Sequence, residues 1–293
     1  MTDFSPYLQI KLSGDIATKG EVNLRDLANT YTHLQSMIDR AFIDITTKGK
    51  IRKHSRLKGN QYGEIFFSVG DPKRSSYLVD LISKTQIGQS ILNRINEAIA
   101  PVYNVIETSI GVEYQGIYRD LNRVKGQIDQ GQIAIMEYNE EEILNKKYFA
   151  RSFGDKSILK YMDQLVTPTR ARDKENYIDL TISTEKTIQL AFNKEKGKKF
   201  HHIVTNRTLG LPYTIEGQLV KADWHNRQGS FVKYTNGRKC NLKFSTREEV
   251  EELSHLMGAK GIKIVVCPII EFGSYDVASG DLLFVKLIDS IAA

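Results

Sequence analysis

Six cations fall within eleven residues: Lys48, Lys50, Arg52, Lys53, Arg56 and Lys58, with His54 among them and no acid between Asp44 and Glu64. Like charges so closely spaced repel one another unless they are solvated or face an anion. Nucleic acid, a smaller anionic ligand, an acidic protein and plain solvation all satisfy that condition. A second basic group, Lys194, Lys196, Lys198, Lys199 and Arg207, surrounds one expected strand connection, offset by Glu195. A third set mixes cations with rings: Trp224, Arg227, Lys233, Tyr234, Arg238 and Lys239, with His225 and Asn226 among them. Single-stranded nucleic acid uses that combination, because bases stack on rings while phosphates are neutralised. The competing account has Trp224 covering one end of a sheet and the lysines merely solvated. The candidate nucleic-acid-binding residues are therefore Lys48, Lys50, Arg52, Lys53, Arg56, Lys58, Lys196, Lys198, Lys199, Trp224, Arg227, Lys233, Tyr234 and Arg238.

Other chemistries find less support. The chain has neither Gly-x-x-x-x-Gly-Lys-Ser/Thr nor Gly-x-Gly-x-x-Gly, so the two commonest phosphate-cradling loops are absent. His201 and His202 are adjacent, and on a strand their rings would point to opposite faces. Cys240 and Cys267 lack the paired spacing of a zinc site. Glu64, Asp71 and Lys73 could serve a metal-dependent nuclease, with carboxylates on an ion and a lysine on the phosphate. Asp71-Pro72 fits an ordinary turn equally well. No Gly-x-Ser-x-Gly elbow occurs. No catalytic residue, metal or cofactor is assigned.

The elements that must position these residues form an α+β chain. With 293 residues, 41% hydrophobic and 26% charged, the composition is that of a globular protein with a real core. No apolar run approaches a membrane span. No secretion signal opens the chain, and two cysteines read as reduced core thiols, so a cytoplasmic setting is expected. The net charge is +6, and the basic excess lies toward the two ends.

Residues 1–70 read as a small α+β unit. Tyr7–Leu12 alternates like a half-buried strand, and Asn23 caps a helix over Leu24–Ile45 with Asp26 in its first turn. Glu64–Val69 reads as a second strand. Residues 71–166 read as a helical section packing on that unit, with a helix from Ser76, a stop before Pro101 and a new helix at Glu140-Glu141-Glu142. Residues 167–176 are polar and aperiodic, as in a linker.

Residues 177–293 turn to short strands, expected as a small β-barrel with one inserted helix. Tyr177–Ile182, Ile188–Phe192, Ile203-Val204 and Tyr213–Val220 are strands, the last with Gly217 where a barrel strand bends. Asn236-Gly237 marks a hairpin. Ser245 or Thr246 caps a helix ending near Gly258, and two apolar strands follow, Ile262–Pro268 and Leu282–Ile288. The run Ile215–Leu219, the Asn236-Gly237 hairpin, Glu248–Met257, Ile262–Cys267 and Phe284–Leu287 resembles a C-terminal barrel module of uncharacterised bacterial proteins. Many of those are predicted products of genomic islands and phage-defence neighbourhoods. The resemblance implies a setting in bacterial defence or mobile-element biology and transfers no functional residue.

Three functions compete. A non-enzymatic binder of nucleic acid or another polyanion would use the basic and aromatic groups. An enzyme on nucleic acid or nucleotide would show a deep polar cleft with converging carboxylates. A protein-interaction subunit would expose a large apolar patch on residues 75–165.

Overall fold

The computed structural model describes residues 7–72, 77–83, 85–108, 116–140 and 149–290. The chain divides into two compact units, 1–113 with 153–205, and 114–152 with 206–293. It mixes helices and strands, as an α+β chain should, and no helix among the described residues is long and apolar enough to cross a membrane.

In the first unit β1 (Tyr7–Gly14) buries every second residue, Leu8, Ile10 and Leu12, as its alternation requires. It sits at the centre of a five-stranded antiparallel sheet. β4 (Ser68–Val69) and β5 (Tyr77–Ile82) lie on one side of β1, and β7 (Asn176–Ser183) and β8 (Thr187–Phe192) on the other. The two-residue strands β2 (Ala17–Thr18) and β3 (Glu21–Val22) form a separate hairpin. Four helices, α1 (Leu24–Thr46), α2 (Gln86–Thr108), α4 (Phe153–Leu165) and α5 (Lys194–Thr205), complete the unit. Asn23 caps α1, its Oδ1 accepting from the Arg25 amide at 2.9 Å. The α1 face Leu34, Met37, Ile38, Ala41 and Phe42 is buried.

The helix packing is fixed by a buried ion triad. Arg94 Nε donates to Asp44 Oδ2 at 2.7 Å and Nη2 to Asp155 Oδ1 at 2.6 Å, joining α1, α2 and α4. Gly154 makes room for it, since a β-carbon there would lie 2.2 Å from Asp44 Oδ2.

Several expectations need correction here. The helix expected from Ser76 is strand β5: Val79 and Leu81 point inward while β1 supplies the hydrogen-bonded neighbour. Only Ser68–Val69 of the expected strand Glu64–Val69 is extended in a sheet. α2 runs through Pro101, where the unmatched Glu97 carbonyl belongs to an exposed turn open to water. Residues 167–176 are not a free linker: Thr167–Arg170 is a 3-10 turn and Asn176 opens β7. The strands Asn176–Phe192 belong to the first sheet, where β7 pairs with β1 over eight residues, and not to the C-terminal module. Ile203-Val204 lies in α5, whose Gly197, Phe200 and Val204 share a buried helical face. Residues 141–148, where a helix was expected after Glu140, lie outside the described residues.

In the second unit β10 (Tyr213–Asp223), β11 (Gln228–Lys233) and β12 (Lys239–Lys243) form an antiparallel meander. α6 (Arg247–Ser254) follows, with Thr246 and Glu249 in a reciprocal capping box. Then come β13 (Ile262–Glu271) and β14 (Leu282–Ser290). β14 joins β12 in parallel, and β13 returns to pair with β10. Gly217 stands where β10 passes from β13 to β11, and a β-carbon there would lie 2.0 Å from the Val232 carbonyl oxygen.

The strands of the expected small β-barrel form a curled sheet and do not close into a barrel. The seam between β12 and β14 holds two residue pairs, Leu242 with Leu282 and Lys243 with Leu283. β12 stops there because the chain turns at Ser245 and Thr246 to cap α6. The short strands β6 (Met136–Glu137) and β9 (Arg207–Leu209) extend the edges. α3 (Ile117–Asp129) covers the outer face of β13 and β14 with Ile117, Leu121 and Val124. Burial on both faces explains the unbroken apolar run of β13.

Candidate nucleic-acid interface

The basic loop after α1 is built, not loose. Arg40 on α1 donates from Nη1 to the Ser55 carbonyl at 2.8 Å, and from Nη2 to the Arg52 carbonyl and Ser157 Oγ, both at 3.0 Å. The Arg52 amide donates to Ser55 Oγ at 2.9 Å, and Ile51 is buried beneath. These contacts hold Lys48, Lys50, Arg56 and Lys58 exposed, with Arg52 and Lys53 half-buried. Lys48 also follows the C-terminus of α1, where the helix dipole favours a cation.

The lysines of residues 194–199 are differently placed. They lie on helix α5 of the first unit, capped by Asn193, whose Oδ1 accepts from the Lys196 amide at 2.9 Å. Lys196 Nζ is 2.5 Å from Glu107 Oε1 and 3.1 Å from Tyr103 Oη, and the bond to Glu107 raises its pKa. Lys199 pairs with Glu195 one turn away at 2.9 Å. Lys198 alone of the four is exposed. Two lysines of the expected cluster are thus neutralised, Lys196 by Glu107 of α2 and Lys199 by Glu195 of its own helix. His201 and His202 share that helix, and His201 Nδ1 is 2.9 Å from Asp163 Oδ2.

Lys233 is not a surface contact. It is 1% exposed, on the inner side of β11 beside Phe231. Its Nζ donates to Tyr138 Oη at 2.9 Å and to the Val277 carbonyl at 3.2 Å, and stands 4.3 Å from the Tyr138 ring centre. Burial lowers its pKa. Period-two alternation carries the reason: with Phe231 facing the core, Lys233 must face it too.

The remaining aromatic set forms a ledge around the β10–β11 turn. Asn226 closes that turn by donating from its amide and from Nδ2 to the Asp223 carboxylate, both at 2.9 Å, which lowers the Asp223 pKa. Arg227 takes positive φ there and donates from Nη1 to the Ser245 carbonyl at 2.8 Å. Its guanidinium stands 5.9 Å from the ring centre of Tyr118, which is 42% exposed. Trp224 is 46% exposed, donates from Nε1 to Glu251 Oε1 at 2.9 Å, and carries Arg247 over its ring. Tyr234 is also exposed, but its hydroxyl accepts from the Gly261 amide, and Arg238 is exposed on the hairpin tip. Sequence reasoning found Trp224 and Arg227 and missed Tyr118 and Arg247, which reach the ledge from α3 and α6.

Glu64 and Asp71 are exposed, and Lys73 lies outside the described residues. Among the described residues no three His, Cys, Asp or Glu gather as metal ligands. Comparison with protein-family models, curated proteins and solved structures finds no match.

Proposed function

We propose that this chain is a non-enzymatic binder of single-stranded nucleic acid. Bases stack on the Trp224–Tyr118 ledge of the second unit, and the exposed cations of the Lys48–Lys58 loop, in the first unit, are a separate contact for phosphates. The observation that carries the reading is the ledge itself: two half-exposed rings on one turn and its neighbours, each with a guanidinium on its face. Stacking of this kind is tolerant of sequence, because every base has a π-face. The arrangement of β10–β14, a five-stranded, partly open curl with one helix before the last pair, supports it by analogy. Oligonucleotide- and oligosaccharide-binding folds share that plan and use the turn between their first two strands as a ligand contact. Here that turn carries Trp224 and Arg227. The analogy is one of architecture and does not by itself assign function. The resemblance to defence-island proteins would give such binding its biological setting.

The docking-subunit reading has less to draw on. Among the described residues of 75–165, the large hydrophobic side chains that are well exposed are Val105 and Tyr118, one in each unit.

Fluorescence anisotropy with single-stranded and duplex DNA and RNA, at several salt concentrations, tests the proposal. Single strands should bind more tightly than duplex, with affinity falling as salt rises. No binding tighter than about 10 µM at roughly 50 mM salt would remove it, because that is the range of non-specific association.

A further inference from the structure

The first unit holds a polar recess of about 580 Å³ between the start of α1 and the chain from the end of α4 to β7. That volume lies within the range of small-molecule sites, roughly 300–1,000 Å³. Asn176, one of its lining residues, is 4% exposed. Its Nδ2 donates to the Pro168 carbonyl at 2.8 Å, and because a carbonyl can only accept, that bond fixes which way the amide points. Asn176 Oδ1 is left as a buried acceptor without a protein partner. His33, on the third turn of α1, lines the same recess, and its Nδ1 is likewise buried and without a protein partner. A buried polar atom left unpaired is costly, so two in one recess point to something that pairs with them.

The charges around the recess narrow the chemistry. Arg170 stands in its wall, held by hydrogen bonds to Asp163 and, at 2.7 Å, to Thr167 Oγ1. Lys174 is exposed at its rim and has no ion pair among the described residues. Asp26, from the first turn of α1, supplies a carboxylate on the lining. Acceptors at Asn176 and Asp26 call for N–H donors, and Lys174 calls for an anion. We propose that the recess binds a metabolite that joins an amino or amide N–H group to an anionic group. Free α-amino acids and nucleoside monophosphates both carry that chemistry. The site lies wholly in the first unit and stands whether or not the chain binds nucleic acid.

Isothermal titration of the full chain with the common amino acids and the four nucleoside monophosphates tests this and separates the two sources. At least one compound should bind saturably with Kd below about 1 mM. Lys174→Ala should weaken it at least roughly fivefold and His33→Leu at least tenfold, while Lys186→Ala, on an exposed turn elsewhere, leaves it unchanged. Lys174 is exposed and its variant should fold normally, so the test does not depend on the buried position. Failure of every compound at about 10 mM overturns the proposal, as does binding that neither Lys174→Ala nor His33→Leu affects.

Discussion

The guanidinium carbon of Arg247 lies 4.4 Å from the centre of the Trp224 ring, while the indole Nε1 donates to Glu251 from the same helix. α6 therefore fixes the orientation of Trp224 before any ligand arrives. A ring held this way loses little rotamer freedom when a base stacks on it.

Trp224→Ala should weaken single-strand binding by about 1–3 kcal/mol, roughly 5- to 150-fold, with a smaller effect on duplex. Trp224 is the chain's one tryptophan, so base stacking should also quench the intrinsic fluorescence. Equal losses for single strand and duplex would mean that the ring does not stack on bases.

The basic loop acts through charge. Replacing Lys48, Lys50, Arg56 and Lys58 together by Ala should lower affinity for all sequences alike. It should also flatten the dependence of log K on log salt by up to about 3, from four contacts at roughly 0.7 each. Thermal stability should change little, because the Arg40 contacts to the Ser55 and Arg52 carbonyls remain. An unchanged salt slope would mean that the loop meets no phosphate.

What could be read from the sequence followed local periodicity. β1, α1, the Asn236-Gly237 hairpin and α6 each announce themselves through alternation, helical spacing or a cap, and each is found. Tyr77–Ile82 failed because its apolar residues fit a helix face as well as a strand, and only the partner β1 decides between them. Lys196 was legible as a cation but not as a paired one, since Glu107 lies 89 residues away, whereas the partner of Lys199, Glu195, is only one turn off. Lys233 could have been found from its parity with Phe231. Asn176 and His33 could not, because nothing local brings β7 to α1.

Arg94 should be among the most sensitive positions for stability. Its removal takes the paired cation away from Asp44, 4% exposed on its side chain, and from Asp155 within the helix packing. Arg94→Met should cost about 3–5 kcal/mol in urea unfolding, as expected when one partner of a buried ion network is lost. A cost under roughly 1 kcal/mol, the range of an exposed pair, would show that water reaches the triad.

Lys233 offers a test through pH. Burial holds its folded-state pKa below the ordinary 10.5. Between the two values the unfolded chain binds more protons than the folded one, so the lysine's contribution makes stability rise with pH across that window. Below the folded value both states are protonated, and the full cost of burying the charge is present. Tyr213 and Tyr275 act in the opposite sense, because burial raises their pKa values and stability falls as the unfolded tyrosines ionise above about 10. The informative quantity is therefore the difference between the wild-type chain and Lys233→Met, in which the tyrosine contribution cancels. Tyr138 Oη donates to the Val277 carbonyl at 2.8 Å by itself, so the variant leaves neither group unpaired. Urea unfolding from pH 7 to 10 should show the wild type gaining on the variant as pH rises. A difference that is flat with pH would mean that Lys233 keeps its ordinary pKa, and that the inner side of β11 is wetter than its burial indicates.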